Sequence, residues 1–79
     1  MMASLSVEAY QGHKGELTPR AFTHDGVRRE VARIVDRWYR QEMVYFRLSM
    51  EDGSRYVVRL DEDRQRWELV MQEDVTCDG

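Results

Sequence analysis

The second half of the chain alternates apolar and polar residues in three short runs. The runs cover residues 43–50, 55–60 and 65–71. They are separated by residues 51–54 and 61–64, which are rich in the Asp, Gly and Ser residues that favour turns. Alternation with a period of two is typical of strands that bury one face. The pattern therefore predicts an antiparallel β-meander in this half.

The first half contains weaker strand signals. Residues 5–10 alternate in the same way and predict a first strand, and residues 11–18 read as a loop. A short strand over residues 20–24 follows Pro19 and ends at Asp25-Gly26. Asp-Gly is a strong signal for a two-residue hairpin turn, because both residues tolerate the positive φ that such turns require.

Residues 27–39 fit two structures. One helical face would hold five apolar residues, Val27, Val31, Ile34, Val35 and Trp38. A strand would need a change of phase near Ala32 and Arg33, which means a β-bulge. The β-branched residues and the preceding Asp-Gly turn favour a strand, whereas the periodicity alone favours a helix slightly.

A set of residues spread over about residues 5–70 carries a family resemblance. The set is Pro19-x-x-Phe22, Gly26, Val31, Val35-Asp-Arg-Trp38, Tyr45-Phe-Arg47, Asp52-Gly53, Tyr56-Val57, Asp61 and Arg66-Trp67-Glu-Leu69. It resembles a small bacterial domain family of unknown function. That family is found alone and is similar to a C-terminal segment of Y-family DNA polymerase-like proteins involved in lesion bypass. Its pattern has aromatic residues where this chain has His24 and Arg29.

The resemblance implies an extended segment over residues 27–38, so we predict a strand there. The predicted fold is mainly β: an antiparallel meander of about five to six strands forming a small curved sheet or a partly open barrel. The alternative is an α+β fold with a helix at about residues 25–40. The length of 79 residues suits a single domain, with an ordered core at about 4–71 and a flexible acidic tail at 72–79.

The charges are unevenly distributed. The chain has a net charge of −3, whereas residues 20–47 carry seven Arg against four acidic residues and residues 48–79 carry four Arg against nine. A general polyanion binder is normally basic overall, so the total argues against that class. A local basic face is still compatible with these numbers.

Arg and aromatic residues alternate through the middle of the chain. The candidate binding face comprises Arg28, Arg33, Arg37, Tyr39, Arg40, Tyr45 and Arg47. Such a face suits a protein-binding hot spot or a platform for single-stranded nucleic acid. A third reading is structural and is favoured over both. In it, Arg37, Arg47 and Arg59 pair across strands with Asp36, Asp61 or Glu68.

No pattern in the chain indicates catalysis. His13, His24 and Cys77 lack the spacing of zinc ligands, and no glycine-rich phosphate loop or serine nucleophile motif is present. The acidic residues 61–63 read as a solvated hairpin tip rather than a cation site. We therefore predict no catalytic residue, no metal and no cofactor.

These observations predict a non-enzymatic protein-interaction module with an unknown protein partner. The alternative is a single-stranded nucleic-acid-binding accessory linked to DNA lesion bypass; nucleic acid is possible but not favoured. A single cysteine and the lack of a signal-peptide or membrane-span pattern predict a cytoplasmic protein without membrane contact. Monomer and homodimer are both expected options, because a meander leaves unpaired edges.

Overall fold

The computed structural model describes residues 3–12, 15 and 17–73. This part of the chain forms seven antiparallel strands and no helix, and therefore holds no helix that could span a membrane. The strands are β1 (Ala3–Ser4), β2 (Ser6–Gln11), β3 (Leu17–His24), β4 (Val27–Arg40), β5 (Met43–Met50), β6 (Arg55–Asp61) and β7 (Arg66–Glu73). The mainly β prediction is confirmed.

The N-terminal segment connects the two ends of the meander. The strand order is β1-β7-β6-β5-β4-β3-β2, so β1 and β2 lie at opposite ends of the sheet although they are adjacent in sequence. Ala3 is paired with Leu69 of β7, and β2 is paired with β3. Between them, the Leu5 N–H donates to the Trp67 carbonyl at 3.1 Å. The sheet is therefore curled, as the predicted curved sheet or partly open barrel requires.

The core lies inside this curl. β5 buries every second residue, as its alternation predicts. The buried core cluster consists of Phe22, Val44, Phe46, Leu48, Met50, Tyr56, Val58 and Leu60. Phe22 and Tyr56 meet edge to face, with ring centroids 5.1 Å apart, and Trp67 packs against Phe46 at 5.5 Å. Apolar burial and aromatic contacts between strands thus hold the sheet in its curved form.

β4 is a strand of 14 residues with two bulges. Its register against β5 shifts between Val31 and Arg33 and again between Ile34 and Asp36. Each bulge adds one residue, so Val31, Ile34 and Arg37 face the inner side at intervals of three instead of two. Intervals of three resemble helical spacing, which explains the ambiguous pattern. The strand prediction is confirmed and the helical alternative is wrong.

The turn between β3 and β4 is the predicted Asp25-Gly26 turn. Both residues have positive φ, 55° and 77°, and His24 is paired with Val27 across the turn. This conformation matches the right-handed twist of hairpin strands and favours Gly.

Pro19 lies inside β3, not before it. β3 begins at Leu17, so the predicted strand over 20–24 was too short. Pro19 is paired with Ala9, beside a bulge in β3 whose extra residue is Arg20. A bulge tolerates proline, because the missing N–H leaves no gap in a regular ladder there.

β7 differs from expectation in two respects. Strict alternation over residues 65–71 predicts that Trp67, Leu69 and Met71 share one face. A register shift between Val57 and Val58 instead pairs these residues with Met71 and Leu69, so Met71 faces outward and not with Trp67. β7 also continues to Glu73, so residues 72 and 73 of the predicted tail belong to the sheet. Residues 74–79 lie outside the described residues.

Phe46 provides a test of the core. Phe46→Ala is expected to lower the free energy of unfolding by about 3–5 kcal/mol, because it removes a side chain that is 1% exposed. The matched control is Tyr39→Ala, whose side chain is on the same inner side of the sheet but lies in a residue that is 64% exposed. That control should change the stability by less than about 0.5 kcal/mol. Urea unfolding measures both, and equal losses would contradict this core.

Candidate functional site

β3 and β4 are paired over only part of their length. Their last described pair is Ala21 with Glu30, and the Glu51 N–H donates to the Glu30 carbonyl at 2.9 Å where the strands separate. Beyond this point, β3 is paired with β2 alone, and residues 31–40 of β4 are paired with β5 alone among the described strands. We name the opening between residues 17–20 and residues 31–40 the seam. Within the described residues, β4 has one neighbouring strand along the seam.

A polar groove with a volume of about 740 Å³ lies on the outer side of the seam. Tyr10, Thr18 and Arg20 line it on one side, and Ala32 and Arg33 line it on the other. The Arg20 guanidinium lies 5.8 Å from the centre of the Tyr10 ring. We name this space the outer groove.

Arg28 joins β4 to β2 at the closed end of the outer groove. Its Nε and Nη2 donate to the two carboxylate oxygens of Glu8 at 2.7 and 2.9 Å, and its Nη1 donates to Glu30 at 2.8 Å. The hydrogen bond from Arg28 lowers the pKa of Glu8, with a smaller Coulombic contribution from the same guanidinium. Two carboxylates therefore compensate the charge of Arg28.

A smaller pocket of about 330 Å³ lies on the inner side of the seam. Its floor is apolar and includes Leu17, Val44 and Phe46. Arg37 and Tyr39 form its β4 side, and the Arg37 guanidinium lies 5.2 Å from the centre of the Phe46 ring. We name this space the inner pocket. It combines an apolar floor with polar walls that hold one cation, one exposed phenol, the carboxylate of Glu62 and the amides of Gln11 and Gln65.

The outer face of β4 to β7 carries a row of interacting side chains. Trp38 and Tyr45 stack with centroids 5.4 Å apart and planes at 8°. Arg59 donates through Nη1 to the Tyr45 hydroxyl at 3.3 Å and through Nε to Glu68 at 2.7 Å. The bond to Tyr45, and then that to Glu68, raises the pKa of Arg59. Arg59 is thereby held within the sheet.

Arg47 is also held by neighbours on this face. Its guanidinium lies 5.6 Å from the centre of the Trp38 ring and forms ion pairs with Asp36 at 3.6 Å and Glu73 at 3.3 Å. The predicted cross-strand pairing is thus present for Arg47 with Asp36, as it is for Arg59 with Glu68. Arg37 lies on the other face and forms no ion pair with a described residue.

Arg29 occupies one of the positions where the resembled family has an aromatic residue. It is paired with the buried Phe22, and its guanidinium lies 5.7 Å from the centre of the Tyr56 ring. Its Nη1 is buried without a hydrogen-bond partner among the described residues. The Arg29 guanidinium thus covers the core at a position where the pattern of the resembled family has an aromatic ring.

The seven residues of the candidate binding face do not lie on one face. Five of them, Arg28, Arg33, Arg40, Tyr45 and Arg47, are on the outer side, where Arg28 binds Glu8, whereas Arg37 and Tyr39 face inward. The bulges in β4 cause this separation, because each one reverses the side to which the following residues point. Sequence reasoning also left Tyr10, Arg20 and Trp38 out of the face. The adjacency of Tyr10 and Arg20 depends on the bulge in β3, in which Arg20 is the extra residue and which the sequence pattern does not reveal.

The described residues hold no group of three or more His, Cys, Asp or Glu side chains that could bind a metal ion. His13 and Cys77 lie outside them. The chemistry that the seam offers consists of unpaired backbone groups, guanidinium groups and aromatic rings.

Comparisons with protein-family models, curated proteins and solved structures find no match. The resemblance to a bacterial domain family therefore stays a prediction. The seam must be interpreted from its own geometry.

Glu8 provides a test of the closed end of the seam. Arg28→Gln should raise the pKa of Glu8 toward its ordinary value of 4.5. In the folded protein the Glu8 proton is bound less tightly than in the unfolded chain. The pair therefore contributes stability above about pH 4.5, and this contribution disappears as the pH falls through the lowered pKa. Carboxyl NMR titration measures the shift. Arg40→Gln is the control, and an unchanged Glu8 pKa in Arg28→Gln would refute the contact.

Proposed function

We propose that this protein is a non-enzymatic protein-interaction module that binds an extended segment of its partner along the seam edge of β4. The proposal rests on one observation: within the described residues, residues 31–40 of β4 are paired with β5 and with no second strand. At roughly 3.3 Å per residue, this edge is about 33 Å long. An exposed edge presents a row of N–H and C=O groups that another strand can pair with.

Other strands also have open edges within the described residues. β1 is paired only with β7, and β2 only with β3. Residues 17–20 of β3 are paired only with β2, and β7 beyond Leu69 only with β6. Each of these stretches is shorter than residues 31–40. β4 borders both the outer groove and the inner pocket, as do β2 and β3 across the seam, and β4 offers the longest open edge of the three. A strand added there would therefore find sites for side chains on both of its faces.

The electrostatics of the β4 edge also support a protein partner. Residues 31–40 contain Arg33, Arg37 and Arg40, and their single acidic residue, Asp36, is paired with Arg47. This segment is positive in a chain of net charge −3. Positive charge on an edge disfavours pairing with a second copy through that edge, because like charges would meet. The proposal therefore favours a monomer at this edge, and a homodimer would need another surface.

The proposed compartment is the cytoplasm. The chain contains one cysteine, whereas small secreted domains usually depend on several disulfides. No contact with a membrane forms part of the proposal.

The second candidate function is binding of single-stranded nucleic acid as an accessory to DNA lesion bypass. The exposed Tyr39 and the Arg residues of β4 support it, since stacking and phosphate contacts together bind single strands. Two observations favour the protein partner instead. A nucleic acid has no peptide groups to pair with a strand edge, and the inner pocket has an apolar floor.

Amide exchange tests the β4 edge directly. A peptide selected from a random library is expected to slow hydrogen exchange in residues 31–40, because its backbone would pair with this edge. Residues 6–11 of β2 serve as the internal control and should not change. Two versions of the peptide are then N-methylated, one at the odd positions and the other at the even positions. Only one of the two should bind more weakly, because successive N–H groups of a strand point to opposite sides. Loss of two or three hydrogen bonds predicts a loss of about tenfold or more.

Protection confined to another part of the sheet, or equal binding by both methylated peptides, would contradict the proposal.

A labelled single-stranded oligonucleotide tests the second function. If it binds through phosphates, its affinity should fall steeply between about 50 mM and 200 mM salt. No binding at the lower concentration would exclude that function.

A further inference from the structure

We infer that the seam selects an acidic strand in which acidic and apolar residues alternate. This inference rests on the proposed function and adds the chemical class of the partner segment. Successive side chains of a strand point to opposite sides of a sheet. A strand added to β4 would therefore direct one set of side chains into the inner pocket and the other into the outer groove.

The inner pocket specifies the apolar set. Its floor is made by core residues that are almost fully buried, such as Phe46 and Val44. Tyr39 lies opposite Val44, yet 64% of it is exposed, because no described strand covers the inner side of β4 at this end. An apolar side chain placed there would remove the Tyr39 ring and its surroundings from water, which is favourable in proportion to the area covered.

The outer groove specifies the acidic set. Arg28 is compensated by Glu8 and Glu30, whereas Arg20 and Arg33 form no ion pair with a described residue. Arg20 and Arg33 lie on opposite sides of the groove. Glu51 also lines the groove, on the side where the two strands separate. The groove lining thus holds three Arg and three Glu residues, and of these Arg20, Arg33 and Glu51 form no ion pair with a described residue. Two guanidinium groups without an ion-pair partner favour carboxylates, which guanidinium binds through paired hydrogen bonds.

Other occupants fit these two surfaces less well. A second copy would bring its own Arg33, Arg37 and Arg40 to the same edge. A nucleic acid would satisfy the guanidinium groups but would leave the backbone edge of β4 unpaired. The combination of an open edge, a pocket with an apolar floor and a groove with two guanidinium groups outside any described ion pair therefore points to an acidic peptide.

Fluorescence anisotropy with labelled peptides of about ten residues tests the inference. The first peptide alternates Glu and Leu, and the second alternates Lys and Leu. The third has the same composition as the first, but its Glu residues form one block and its Leu residues another. We expect the alternating acidic peptide to bind at least about tenfold more tightly than either of the others. The double variant Arg20→Glu with Arg33→Glu should reverse the preference, so that the Lys peptide binds more tightly.

Arg64→Glu is the matched control, because Arg64 is an equally exposed arginine in the turn between β6 and β7. It should leave the preference unchanged. Thermal melts of all variants check that these substitutions of exposed residues preserve the fold.

Amide exchange distinguishes failure of this inference from failure of the proposed function. If all peptides bind equally and protect residues 31–40, the inference is wrong and the proposed function stands. If no peptide protects these residues, both are wrong. A single-stranded oligonucleotide that displaces the acidic peptide and binds more tightly would overturn the inference in favour of a nucleic-acid occupant.

Discussion

The structure depends on the two-sided pairing of β4. This strand must form the Asp25-Gly26 hairpin with β3 and a long ladder with β5, and it cannot keep both neighbours throughout. Its two bulges bend it and increase its local twist, and the strand follows β5 beyond Glu30. Because β4 follows β5, the side chains of Val31 and Ile34 pack against the core. The consequence is an opening along β3, from which the outer groove and the inner pocket both arise.

The arginine residues serve two different purposes in this sheet. Arg28, Arg47 and Arg59 form ion pairs that cross strands and are compensated by carboxylates. Half-exposed pairs such as Arg28 with Glu8 contribute little stability individually. The less exposed pairs of Arg47 and Arg59 fix the positions of neighbouring rings, Trp38 and Tyr45. The arginines at the seam lack such partners among the described residues. A protein of negative net charge thereby has a positive edge along residues 31–40.

Sequence reasoning was most reliable where one residue type is required by local geometry. The Asp-Gly turn was predictable because positive φ is costly for most residues. The meander was predictable because β5 alternates without interruption and β6 departs from alternation only at the buried Val57. It was least reliable at bulges. Met71 was assigned to the face of Trp67, and Arg37 to the face of Arg47, because the pattern was extended through residues that a bulge displaces.

The amino-acid sequence by itself determined that this chain is a β-meander and which residues of its regular strands are buried. Alternation and turn residues act over a few positions, so their effects can be read locally. Only the tertiary structure decided where β3 and β4 separate and which arginines are compensated. Those outcomes depend on register between strands distant in sequence, and a shift of one residue exchanges the two faces of a strand.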